Sequence, residues 1–497
     1  MPEAADRAEA QAPPHAVLII GAGMSGLCMG IKLLERGIDD FLILEKSADV
    51  GGTWNDNRYP GAGCDVPSVL YSYSFAPNPG WSQKFSPQAE IHDYFRDCAR
   101  RFGLLPKLRL NTRVERADWD GDAGCWNVSL DSGDRLRARC LVSALGQLNR
   151  PHIPEFPGCE RFAGPGFHSA RWDARLDLRG KRVAVIGNAA SALQLIPQIA
   201  ADAAQLYVYQ RSANYVIRRG NRAYTAWEKW LFRVFPPSQR ALRLFTFLRG
   251  EWLFYPLLRR DSKLLRRLWE RMVDDYRREE IDDPQLAARL TPDYRIGCKR
   301  ILLSDDYYAA FRRDNVSLVT SPIQAIDEQG VVTGDGEARP VDVIVYATGF
   351  ETSAMHSAVS YYGEDGISLQ EAWKNGAEAY RGVCTSGFPN FFMLYGPNTN
   401  LGSNSIIYMV ERQVAWTVNC IDKLLAHELR SLSVNPGVQQ AYSARMQAEL
   451  ARTVWVADCE SWYKNARGRV VNNWPRSALA YGWHMRAPDF ADFDLRG

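Results

Sequence analysis

The residues of this chain best suited to chemistry fall into two sets. Both are small-residue turns, Gly21-Ala22-Gly23-Met24-Ser25-Gly26 and Gly187-Asn188-Ala189-Ala190-Ser191-Ala192, each opening an apolar helical pattern. A turn that opens a helix presents backbone N–H groups at the positive end of the helix dipole, which suits a pyrophosphate. In the first turn Gly21 permits the tight bend, Gly23 lets the backbone approach a pyrophosphate, and Gly26 allows close packing of helix on strand. Gly21, Gly23, Ser25 and Gly26 are therefore read as cofactor-binding. Glu45, about 20 residues beyond the turn, can accept hydrogen bonds from both ribose hydroxyls of an adenosine.

These groups need a scaffold, and the flanking residues supply one. Ala16-Val17-Leu18-Ile19-Ile20 reads as a buried parallel strand, Leu27, Ile31 and Leu34 lie on one helical face, and Phe41-Leu42-Ile43-Leu44 is a second strand. Arg182-Val183-Ala184-Val185-Ile186 and Leu206-Tyr207-Val208-Tyr209 frame the other turn in the same way. That second unit departs from the pattern at two places. Ala189 replaces the middle glycine, and its methyl group would crowd a pyrophosphate. Gln210-Arg211-Ser212 stands where the first unit has its acid, and an arginine there pairs with a 2'-phosphate that an acid would repel. Gly187, Asn188, Ser191, Ala192, Arg211 and Ser212 are thus assigned to NADP, the alternative being a structural unit that has lost its ligand. Each unit is followed by an apolar strand ending in glycine, Cys140 to Gly146 and Val343 to Gly349, so the halves look like an internal repeat. The first, acid-terminated fold implies FAD and the second NADPH.

Composition narrows the classes. At 497 residues the chain exceeds one hydrophobic core. Its 46% hydrophobic and 24% charged residues exclude a disordered chain or a long coiled coil. A formal charge of +3 gives no footprint for nucleic acid. Ten cysteines without a C-x-x-C pair suit a reducing compartment, and no metal site is expected. The opening MPEAADRAEAQAPPH lacks a secretory pattern and is expected to fray before residue 16. A cytoplasmic protein is expected.

The chain resembles the type I Baeyer-Villiger monooxygenases, a branch of the class B flavin monooxygenases, from residue 16 to about 475. Phe162-Ala163-Gly164-Pro165-Gly166-Phe167-His168-Ser169-Ala170-Arg171-Trp172-Asp173 fits their F-x-G-x-x-x-H-x-x-x-W-[P/D] pattern. Heteroatom-oxidising relatives close it differently, so Trp172-Asp173 points to ketone oxidation. The resemblance implies a hinge or domain-coupling role for Phe162, Gly164, His168, Trp172 and Asp173, with His168 not an acid or base. It implies flavin contacts for Gly52, Thr53, Trp54, Asp65 and Tyr71. It sends Lys299 to the 2'-phosphate beside Arg211, and Arg300 into the active site. The stretch Gly396 to Ser405 leads into a helix through Met409 and Gln413, whose N-terminus would face the flavin pyrimidine edge, an ordinary capped helix being the plainer reading. Cys459 to Asn465 and Asn472 to Pro475 are assigned to flavin-domain packing and the cavity wall.

The expected architecture is α/β: two Rossmann-like dinucleotide domains and a helical insertion. FAD takes residues 1–150 and 378–497, NADP takes 151–213 and 297–377, and the insertion is 214–296. The insertion alternates aromatic and arginine residues around Pro236-Pro237. It reads as a roof over a substrate cavity, packed on the NADP domain, or as a basic, aromatic face making weak peripheral membrane contact. The implied activity uses NADPH and O2 to convert a lipophilic ketone to an ester or lactone through a C4a-peroxyflavin, with Arg300 keeping the peroxide ionised and Asp65 gripping Arg300. A heteroatom monooxygenase is the alternative. A flavin disulfide reductase lacks its cysteine pair, since Cys28 and Cys64 are too far apart, and a non-catalytic nucleotide binder would not need Trp172-Asp173 or Lys299-Arg300.

Overall fold

Short runs of Val, Leu and Ile bounded by glycine become parallel strands when both faces are covered, and every side chain in them is then buried. The computed structural model describes residues 13–351, 356–456, 461–465 and 467–497. The expected frayed tail lies mostly outside them. The strand His15–Ile20 sits at the centre of an eight-stranded sheet, between Phe41–Leu44 and Arg135–Ser143, with both neighbours parallel. The strand Arg182–Ile186 holds the same place in a five-stranded parallel sheet, between Gln205–Tyr209 and Val343–Tyr346. Val17 faces Phe41 and Cys140 in register, and Val183 faces Leu206 and Val343. The two βαβ units are one design used twice, each with its own core.

Two expectations about the parts need correction. The strand Ser360–Tyr362 pairs with Val114–Asp120 of the first sheet, so the chain returns to the first body before residue 378. It is held there because Tyr361 is buried against Phe391 and donates its hydroxyl proton to Ser143 Oγ at 2.9 Å. The insertion is helical, with helices Ala226–Val234, Pro236–Arg249 and Lys263–Glu280, but it does not pack on the second body alone. Phe232, Phe247 and Leu258 join the first core, while Tyr276, Ile281 and Leu290 join the second. Arg243 ties the second of these helices to the first body by donating to the carbonyls of Val69 and Ser72 at 2.9 Å. Cys298 is disulfide-bonded, a bridge that sequence spacing did not signal, and Cys459 lies outside the described residues.

Candidate active site

Each turn is tied to the strand that follows its helix. Gly21 N–H donates to Leu44 O at 2.8 Å, and Gly187 N–H to Tyr209 O at 3.0 Å. Both glycines hold positive φ, +104° and +107°, and a Cβ on them would meet the Ala144 and Ala347 carbonyl oxygens at 2.8 and 2.5 Å. These contacts come from the corresponding small-residue strand ends. Gly26 lies so close that a Cβ would sit 1.8 Å from Gly21 O. Gly26 and Ala192 are packing positions and stay out of the cavity. Gly23 is different. Its φ of −74° suits any residue, and an added Cβ would meet only the Gly52 backbone, Cα at 3.6 Å and N at 4.0 Å. Two facing glycines thus leave a cradle that side chains would fill, beside a helix start that no side chain caps. This space and these amides fit a pyrophosphate.

Glu45 completes the first turn. One carboxylate oxygen accepts Ala22 N–H at 2.8 Å and the other Ser47 N–H at 2.9 Å, so the group is fixed with lone pairs still facing the cavity. The corresponding Gln210 accepts the Asn188 side-chain amide at 2.9 Å and donates to Arg289 O at 2.8 Å. The Asn188 side chain therefore stitches the turn to its strand instead of reaching outward. Arg211 is exposed at the cavity edge and has no hydrogen bond or ion pair among the described residues. Lys299 Nζ donates to Ser212 Oγ at 2.9 Å, which brings lysine, serine and arginine to one corner.

The turns open on a common cavity of 1680 Å³, larger than the roughly 300–1,000 Å³ typical of a single small-molecule site. It is also lined by Gly52, Thr53, Trp54, Asp65, Tyr71, Ser191 and Arg300. Trp54 Nε1 donates to the Tyr71 hydroxyl at 3.1 Å, and the rings meet edge to face. At the seam Arg300 grips Asp65 with both arms of its guanidinium, Nη2 to Oδ1 at 2.7 Å and Nε to Oδ2 at 3.1 Å. The Asp65 carboxylate raises the Arg300 pKa further above its ordinary value, against the opposing effect of burial. The Arg300 side chain retains 39% exposure, facing the cavity.

Sequence reasoning missed what places Asp65. Gly63 exchanges two hydrogen bonds with the Gln194 side chain, at 2.9 and 3.3 Å, and the Tyr59 hydroxyl donates to the same amide oxygen at 2.9 Å. Arg219 donates to Cys64 O. Three consecutive residues of the first body, 63 to 65, are thus each held from the far side by Gln194, Arg219 and Arg300. Nothing local marked Gln194, since Ser191 and Gln198 are polar positions on the same helix, Ala190–Ile199. Tyr395 and Tyr463 also border Arg300, and burial pushes the Tyr463 phenol up to about 12, so both remain protonated near neutral pH.

Other expected residues lie elsewhere. None of Phe162, Gly164, His168, Trp172 and Asp173 lines the cavity. Gly164 is a close approach, since a Cβ would meet Asp342 O at 2.4 Å. Phe162 packs against the second body's smaller core. His168 accepts Ala170 N–H at Nδ1 and stacks edge-on against Phe350, a cavity residue, while burial lowers its pKa. Trp172 packs on Phe167. Asp173 does not couple the bodies: its carboxylate is at the surface, paired with Arg175, which holds its pKa near 2. Of the insertion only Asn214 lines this cavity, while Phe254, Leu257 and Leu258 border Lys299 and Arg300 in a second, small pocket and much of its inner side packs on the two cores. The helix Ile406–Ala426 begins at the cavity but is capped by Ser405, whose Oγ takes Ile407 N–H, and Gln413 and Met409 are buried behind it. Ser461 and Trp462 line the cavity and Tyr463 and Trp474 join the first core, while Cys459 and Glu460 fall outside the described residues.

Residues 15–247 match the flavin-binding monooxygenase-like family. A Baeyer-Villiger monooxygenase of Pseudomonas aeruginosa is 42% identical over 95% of this chain and 89% of its own length. One from Streptomyces coelicolor is 40% identical over 96% and 92%. Among solved structures, an oxidized steroid monooxygenase bound to NADP has a TM-score of 0.87 at 31% identity, and OTEMO in complex with FAD and NADP has 0.88 at 27%. Each covers 98% of this chain and 100% of the other.

Proposed function

Because the chain belongs to the Baeyer-Villiger monooxygenase family, we propose that its cavity converts a lipophilic ketone to an ester or lactone with NADPH and O2. The carrying observation is the bidentate Asp65–Arg300 pair at the point where both nucleotide turns open. One oxygen atom enters the bond beside the carbonyl, the other leaves as water, and NADPH is the reductant. Bound FAD supplies the redox carrier between NADPH and O2.

The chain's own residues do the rest. Gly21, Gly23, Ser25 and the helix they open hold the FAD pyrophosphate, and Glu45 takes the ribose hydroxyls. Gly52, Thr53, Trp54 and Tyr71 wall the ring. The second turn holds NADPH, with Arg211, Ser212 and Lys299 around the 2'-phosphate. Arg300 keeps a fixed positive charge where negative charge develops on oxygen, because a guanidinium does not release its proton in a protein. Asp65 sets its direction. Val66, Leu401 and Ile406 give the cavity apolar wall for a lipophilic substrate. No helix among the described residues is long and apolar enough to cross a membrane. A cytoplasmic setting would supply NADPH.

The test is a panel of cyclic, aryl and long-chain ketones offered to the FAD-loaded protein with NADPH and O2, read by product mass. Esters one oxygen heavier than their ketones are expected. Oxygenated sulfides or amines with no ester from any ketone would overturn the reading in favour of heteroatom chemistry.

A further inference from the structure

A surface helix normally turns its apolar stripe inward. The insertion has apolar residues on both sides. On the helix Ala226–Val234, Phe232 is buried in the first core, yet Trp227, Trp230 and Val234, spaced i, i+3 and i+7, face outward, Trp227 with 64% of its surface open. The next helix, Pro236–Arg249, buries Phe247 and exposes Leu244 and Phe245. Trp252 follows at 69% exposure. Glu251 then accepts the Ala478 and Leu479 N–H groups at 3.1 and 3.0 Å. This contact brings the helix Ala478–His484 alongside, and its Leu479 and Trp483, one turn apart and the latter 76% exposed, extend the apolar face.

Charge indicates what covers that face. Residues 223–258 contain two acids. Glu228 is taken by Arg222 and by the Thr225 cap, and Glu251 is buried against the amides just described. Lys229, Arg233, Arg240 and Arg249 have no acidic partner among the described residues. Lys84, beside Arg249 and Arg222, has its pKa lowered by burial and then by those two cations. A second copy docked symmetrically would set these cations against their own counterparts, since a two-fold interface pairs a patch with itself. An anionic bilayer meets both features: indole rings sit at headgroup depth, and arginine stems lie along apolar surface with their charge at the phosphates.

We propose that the Trp227–Trp252 face, continued by Leu479 and Trp483, docks the enzyme on an anionic phospholipid surface without crossing it. The docked face is one body with the cavity wall: Asn404, which lines the cavity, donates to Phe247 O at 3.1 Å and to Glu251 at 3.0 Å.

Sedimentation of the full-length, FAD-loaded protein tests this, using vesicles of phosphatidylcholine alone or mixed with phosphatidylglycerol. Binding to the mixed vesicles is expected to be at least about tenfold stronger and to weaken with salt, since each cation near such a surface contributes and is screened. Trp227→Ser/Trp230→Ser/Phe245→Ser should lose binding. Arg233→Glu/Arg240→Glu should lose only the preference for anionic lipid. Both variants should keep FAD and their turnover of a water-soluble ketone, so a lost interaction is not a lost fold. Equal binding to the two vesicle types, or binding that neither variant changes, would overturn the proposal. A dimer seen by light scattering that Trp230→Ser converts to monomer would assign the face to a second copy and overturn it too.

Discussion

The first turn ends on a fixed carboxylate, Glu45, and the second on a neutral amide, Gln210, with Arg211 and Lys299 beside it. The backbone beneath them is the same. Gly23 lies at φ −74°, ψ −173°, and Ala189 at φ −81°, ψ −164°. Neither position needs glycine for its conformation, so glycine at 23 answers to something outside the chain's own geometry. At Gly21 and Gly187, where φ is positive and a carbonyl closes in, both turns keep glycine. The contrast separates what the fold demands from what the ligand demands. It also assigns the seam: the first body contributes Asp65 and the second Arg300.

The largest effect is expected at that seam. Losing one preorganised donor at a developing oxyanion costs roughly 3 to 4 kcal/mol, about a hundredfold to a thousandfold in rate. Arg300→Ala should bind FAD, accept hydride from NADPH within about tenfold of the normal rate, and make almost no ester, with reducing equivalents leaving as hydrogen peroxide. Arg300→Lys should recover little, because an ammonium lacks the fork that Asp65 grips. Ester formation by Arg300→Ala within threefold of the parent would break the division of labour between the bodies.

Next comes the third position of each turn. Gly26→Ala forces a methyl onto Gly21 O, and overpacking of this kind costs about 1 to 3 kcal/mol before any loss of FAD. Loss of FAD on purification and a lower Tm are expected. Ala192→Gly, the reciprocal change, should cost about 0.5 to 1 kcal/mol through the helix alone and leave NADPH binding intact. Equal behaviour of the pair would mean that the turns do not correspond.

Nucleotide choice sharpens the contrast at the strand ends. A charge-assisted phosphate contact contributes about 1.5 to 3 kcal/mol, so Arg211→Ala or Lys299→Ala should each reduce the NADPH over NADH preference in kcat/KM by about tenfold or more. An unchanged ratio in both variants would place the 2'-phosphate elsewhere. The smallest effect is expected from Ala189→Gly, whose methyl faces open cavity: NADPH affinity should stay level or tighten by less than about threefold, measured by titration. A marked loss there would show that Ala189 serves the ligand directly.

The two βαβ units were legible because buried parallel strands leave uninterrupted apolar runs and positive-φ turns leave glycine. The Ser360–Tyr362 strand was not, since three residues carry no period and its place depends on Tyr361 finding Ser143 across the fold. At the site, residue types foretold the Asp65–Arg300 pairing only through family likeness. Gln194 and Arg219 gave nothing local, because their partners lie 131 and 155 residues away. The insertion misled for a different reason: aromatic residues on both sides of its helices read alike in sequence, whether they face a cavity, a core or solvent.

The clasp on residues 63 to 65 bears on how such an enzyme can be recombined. A chimera cut between the two bodies would inherit Tyr59, Gly63 and Asp65 from one parent and Gln194, Arg219 and Arg300 from the other. Each half could fold around its own core and load its own nucleotide, yet the carboxylate and the guanidinium would meet only if both parents had matched these six positions. The heritable unit of this active site is the joint, not either half.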